Sequence, residues 1–150
     1  MTKKTGQPEA SPGAAGGTKS GPLVLIVDDV QDNRTIYVLF LRFSGFRVAE
    51  AENGEEALAK ATSLLPDVIV MDLSLPVMDG WEATRRLKRD PRTKKIPVVV
   101  LTGHALPEHA QAAREAGCDM VITKPCLPDQ LLETIRRILD GPKAKAKGGR

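Results

Sequence analysis

Five polar residues at four places in the chain have the types and spacing for one piece of chemistry: Asp28 and Asp29, Asp72, Thr102, and Lys124. Each follows or closes a short apolar run, which places it at the carboxyl end of a strand. Taken singly, each has an ordinary reading. An Asp after a strand forms a turn or caps a helix, a Thr there is β-branched filling, and a Lys before Pro is solvated. Their joint placement says more. Three carboxylates in one pocket repel, and a hard divalent cation with oxygen ligands relieves them at neutral pH. Mg²⁺ suits the set better than Ca²⁺, because few carboxylates leave positions for water and a phosphoryl oxygen. An Asp carboxylate attacks phosphorus once the incoming charge is neutralised, and Mg²⁺ with the Lys124 ammonium provides that. The Thr102 hydroxyl and backbone N–H groups near Leu73 and Gly103 are placed for the remaining phosphoryl oxygens. The pattern points to phosphoryl transfer onto Asp72.

The elements that must position these residues are legible in the hydrophobic pattern. Apolar runs at Leu23 to Val27, Val48 to Ala51, Val68 to Met71, Val98 to Leu101 and Met120 to Ile122 mostly do not alternate with polar residues. Such runs fit strands buried on both faces of a parallel sheet. Helical periodicity fills the intervals: Asp32 to Ser44, Asn53 to Leu65, Asp79 to Arg89, Pro107 to Ala116 and Leu127 to Leu139. Asn53 and Asp79 are expected N-caps, and Gly45 and Gly117 expected stops. The fold class is α/β, a (βα)5 doubly wound parallel sheet. Ligands of such sheets bind beyond the carboxyl ends of the strands. In the flavodoxin-like strand order 2-1-3-4-5, Asp28, Asp29 and Asp72 meet at the switch point, with Thr102 and Lys124 opposite.

Composition bounds the rest. The chain has 150 residues, enough for one domain with an aliphatic core, since only 3% of it is aromatic. Residues 1–22 and 141–150 lack the apolar content to order themselves and are expected to be disordered tails around a domain at 23–140. The tails carry Lys3, Lys4, Lys19, Lys143, Lys145, Lys147 and Arg150 against Glu9, so the net charge of +3 belongs to the ends and the domain itself is acidic. A fold that recognises specific nucleic acid is therefore not indicated. There is no membrane span and no apolar signal segment, which makes the cytoplasm the expected location. Cys118 and Cys126 lack metal-ligand spacing and read as ordinary thiols.

The stretches LVLIVDDVQDNR, DVIVMDLSLPVMDGWE, IPVVVLTGHA and AGCDMVITKPC, in this order and spacing, closely resemble the receiver domain of two-component response regulators. The resemblance spans about Leu23 to Leu139. It implies Asp72 as phospho-acceptor, Asp29 and Asp72 as direct Mg²⁺ ligands, Asp28 acting through water and the backbone carbonyl of Ser74 as a further ligand. Thr102 is then the switch hydroxyl, Lys124 the phosphoryl contact, and the Lys124–Pro125 bond cis. The implied partners are a histidine kinase or histidine phosphotransfer domain and a downstream protein. The implied activity is acceptance and self-hydrolysis of the phosphoryl group rather than turnover of a separate substrate. With no further module expected after Asp140, output would pass through the receiver's own surface.

Two departures from the family pattern lie outside this chemistry. Val121 stands where an aromatic rotor is usual, and Cys126 where Phe is common. Valine is stiff about χ1 and too small to sweep between buried and exposed positions. In the first helix, the apolar run from Ile36 to Leu41 is too long for one face; the family's phase puts Ile36, Phe40 and Phe43 against the sheet and leaves Val38 and Leu39 partly exposed. Ser74 and His104 lie where side chains reach a hydrolytic water. Two other functions compete. A Mg²⁺-dependent phosphohydrolase of the haloacid dehalogenase kind needs an acid two residues after the nucleophile, and this chain has Ser74 there. A receiver fold used only for binding, never phosphorylated, is the other.

Overall fold

The computed structural model describes residues 21–75, 77–103 and 107–148. The amino-terminal tail expected over 1–22 lies, apart from Gly21 and Pro22, outside the described residues, as does His104. Five strands alternate with five helices: β1 (Leu23–Val27), α1 (Gln31–Phe43), β2 (Arg47–Ala51), α2 (Gly54–Leu64), β3 (Val68–Asp72), α3 (Gly80–Arg89), β4 (Val98–Thr102), α4 (Pro107–Ala116), β5 (Met120–Thr123) and α5 (Pro128–Gly148). The strands form one parallel sheet in the order β2-β1-β3-β4-β5. This is the flavodoxin-like (βα)5 arrangement expected from the sequence.

The central strands explain their own composition. Every residue of β3 and β4 is buried, because each strand has a neighbour on both sides and helices on both faces. Alternate residues divide between two cores. Val24, Ile26, Val70 and Leu101 pack with Val38 and Leu41 of α1 and Leu131 and Ile135 of α5. Leu25, Val27, Ile69 and Met71 pack with alanines of α2, and with Ala83 and Leu87 of α3. Asn53 and Asp79 cap α2 and α3 by accepting from the amides of Glu56 and Glu82. Gly45 and Gly117 follow α1 and α4 with positive φ, as expected of residues that end helices.

One expectation is corrected. The buried stripe of α1 is Arg34, Val38 and Leu41, with Tyr37 packed against the core, whereas Ile36 is 55% and Phe43 91% exposed. Phe40 is half-buried, Val38 is 3% exposed, and only Leu39, at 61%, keeps its expected side. A continuous apolar run fits any helical phase, and here the phase is set by polar groups. Arg34 faces inward because its guanidinium finds the Asp28 carbonyl at 2.5 Å and Glu50 at 2.9 Å. At the carboxyl end, α5 runs from Pro128 to Gly148.

Candidate functional site

The register of the sheet brings the expected residues to one edge. Val27 pairs with Met71, so Asp28 follows β1 directly beside Asp72 at the end of β3, and Thr102 closes β4 opposite Thr123. Carboxylate oxygens of Asp28, Asp29 and Asp72 lie within 4.8 Å of one another, with Asp28 and Asp72 buried and Asp29 exposed. Among the described residues this is the one cluster of metal-ligating side chains. Lys124 reaches in from the end of β5, its Nζ 3.1 Å from both oxygens of Asp72. Thr102 is buried at the same edge, and its carbonyl accepts from the Lys124 amide at 2.7 Å. The Lys124–Pro125 bond is cis.

The two buried acids are each held by a main-chain amide. The Asp72 Oδ1 accepts from the Ser74 amide at 3.1 Å, and the Asp28 Oδ1 from the Val30 amide at 2.8 Å. The Leu73 amide is committed to the sheet through the Leu101 carbonyl, so the main-chain donor to the Asp72 carboxylate is that of Ser74. Burial raises the pKa of Asp28, reinforced by the charges of Asp72 and Asp29; the Val30 amide and Lys124 oppose the shift. An acidic carboxyl that is buried and crowded by two more is a place where a cation is favourable.

Several residues that shape the site were not singled out from the sequence. Arg34 fastens the Asp28 carbonyl to α1. Tyr37 donates its hydroxyl to the Cys126 carbonyl at 2.7 Å, and burial pushes its pKa up to about 12, so it remains a donor at any physiological pH. Gly80 opens α3 against the end of β3, where a Cβ would lie 2.7 Å from the Asp72 carbonyl oxygen and 2.9 Å from the Leu73 Cα. The Asp-Gly pair before that helix was its one local signal. Val77 has φ +71, a conformation costly for a β-branched residue.

The two departures from the family pattern also have places. Cys126 is buried in the core shared by α1 and α5, and it and Cys118 are free thiols. Val121 is 38% exposed beside an open cleft of about 480 Å³ between α4 and β5, whose walls include Thr102, His109, Ala113 and Met120. On the other flank of Asp72, a cleft of about 400 Å³ is lined by Asp28, Asn33, Tyr37, Gly103, Lys124 and Cys126.

Comparison with known proteins gives a consistent result. Residues 24–136 match the family model described as the response regulator receiver domain. The chain is 37% identical over 119 residues to the phosphate regulon transcriptional regulatory protein PhoB of Pseudomonas aeruginosa, covering 79% of this chain but only 52% of that one. It thus spans about half the length of that relative. It is 35% identical over 116 residues to the polar-differentiation response regulator DivK of Brucella anthropi, covering 77% of this chain and 94% of DivK. Among solved structures, the receiver domain of the Pseudomonas aeruginosa sensor histidine kinase PA1611 superposes with a TM-score of 0.74 at 31% identity, covering 80% of this chain and 98% of that one. That structure has a magnesium ion coordinated in its active-site cleft.

Proposed function

The chain belongs to the response regulator receiver family, and from that premise we propose that Asp72 accepts a phosphoryl group from the phosphohistidine of a histidine kinase or phosphotransfer protein. The observation that carries this reading is the meeting of Asp28, Asp29 and Asp72 within 4.8 Å, with Lys124 on Asp72. The donor set fits Mg²⁺: hard oxygens, two of the three carboxylates buried, and one cation for three acids. Asp28, Asp29, Asp72 and the backbone carbonyl of Ser74 would hold it. Once bound, it would neutralise charge on the phosphoryl oxygens and on the acceptor.

The protein's own groups do the rest. The Ser74 amide and Lys124 fix the orientation of the Asp72 carboxylate, one oxygen of which forms the new bond to phosphorus. The phosphorus–nitrogen bond breaks, and its electron pair stays on the donor imidazole. Lys124, already within 3.1 Å of both Asp72 oxygens, follows the charge outward onto the phosphoryl group. Thr102, at the end of the neighbouring strand, supplies the switch hydroxyl.

Incubation with Mg²⁺ and a small phosphodonor, followed by intact mass, tests the assignment. Wild type should gain one phosphoryl mass and Asp72→Asn none. Absence of any gain in wild type would favour a receiver fold used only for binding.

For the helical domain that carries the donor histidine, α1 is the docking face this reading favours. Ile36, Leu39 and Phe43 form an exposed apolar stripe, the face opposite Val38 and Leu41. The informative substitution is therefore Leu39→Glu, not a change at buried Val38. It should slow transfer from the cognate kinase and leave uptake from the small donor unchanged. No helix among the described residues is long and apolar enough to cross a membrane.

A further inference from the structure

We propose that Tyr37 is a positioning residue for Lys124, setting from helix α1 where the ammonium stands over the acceptor. The inference rests on the reading of Asp72 as phospho-acceptor. The turn Lys124-Pro125-Cys126 leaves β5 and must deliver one flexible side chain to a fixed point, 3.1 Å from both Asp72 oxygens. Pro125 has no N–H with which to anchor it. The turn is tethered at its start by the Lys124 amide on the Thr102 carbonyl at 2.7 Å. Two residues later, the Cys126 carbonyl accepts from the Tyr37 hydroxyl at 2.7 Å, a contact across 89 positions of sequence.

The tether is stiff at its helical end. Tyr37 packs against the core beside buried Val38, and Arg34, one turn earlier, binds the Asp28 carbonyl. One stretch of α1 thus holds main chain on both banks of the pocket, at Asp28 through Arg34 and at the turn after Lys124 through Tyr37. Tyr37 and Lys124 both line the cleft beside the acceptor. A phenylalanine would fill the same core, so the hydroxyl answers a positional demand rather than a packing one.

Tyr37→Phe removes only that oxygen, and a double-mutant cycle with Lys124→Ala isolates its effect. The readouts are the rate of phosphorylation by phosphoramidate at saturating Mg²⁺, the Mg²⁺ affinity followed by fluorescence of Trp81, and the melting temperature. In the Lys124 background Tyr37→Phe should slow phosphorylation about tenfold with Mg²⁺ affinity unchanged. In the Lys124→Ala background it should slow it no further. Equal slowing in both backgrounds, no slowing in either, or a loss of Mg²⁺ affinity that accounts for the slowing overturns the inference and leaves Asp72 as acceptor. A wild type that takes up no phosphoryl group overturns both.

Discussion

The two sides of the pocket are built to different standards. On the β1–β3 side, both acids that end buried strands accept a main-chain hydrogen bond, Arg34 holds the Asp28 carbonyl, and Gly80 lets α3 touch β3. On the β4–β5 side, α4 buries little but Ala113 and Ala116, β5 is an edge strand with every second residue exposed, and a cleft separates the two. The phosphoryl transfer proposed for Asp72 tolerates little displacement, whereas a surface that responds to it needs room to move. Precision and slack are divided between neighbouring strands of one sheet.

The largest expected effect comes from adding one methyl on each side. Gly80→Ala should destabilise the fold by about 2–3 kcal/mol, since its Cβ meets backbone atoms that cannot yield. Gly103→Ala at the end of β4 meets nothing within 4 Å and should stay within about 0.5 kcal/mol of wild type. Chemical denaturation of the two variants compares them directly; equal losses would remove the contrast.

Mg²⁺ binds a pocket that the unfolded chain lacks, so a hundredfold excess over its dissociation constant should add about 2.7 kcal/mol. Thermal melts with and without the ion check this, and an unshifted melting temperature would count against the acidic side as a cation site.

A smaller effect should follow from Asp28→Asn without metal. Lys124 lies on Asp72, so the crowding bears on Asp28, whose pKa is raised above the usual carboxylate range, first by burial. A carboxyl whose folded pKa is raised contributes its full stability below its unfolded pKa and loses it as pH rises through the folded one. Asp28→Asn should therefore be more stable than metal-free wild type at neutral pH, and the gap should close as pH falls towards 4. A gap that is constant with pH would show that the charge of Asp28 carries no penalty.

The smallest effect lies on the loose side. Val121→Phe places a larger apolar group beside the open cleft and should change stability by no more than about 1 kcal/mol, in the stabilising direction. It should also tie α4 more closely to the acceptor. Trp81 of α3 lies edge-on to His109 of α4 at 6.4 Å, so its emission reports on α4. The change in emission on adding beryllofluoride and Mg²⁺ should be larger in Val121→Phe than in wild type. An equal or smaller change would mean that Val121 does not limit the coupling.

The sequence by itself was enough for the order of elements, the parallel sheet, the caps at Asn53 and Asp79, and the residues at the strand ends. Each of those rests on local chemistry: continuous apolar runs, a side-chain oxygen three residues before an amide, a polar residue where a run stops. The phase of α1 did not follow, because from Ile36 to Leu41 every residue is apolar and any face of the helix fits. Only the tertiary structure decided it, through a buried arginine that finds a carbonyl just after β1 and a tyrosine that finds one beyond β5. Both contacts are polar, and Tyr37 lies 89 positions from its partner, so the apolar periodicity that betrays a helix carries no trace of them.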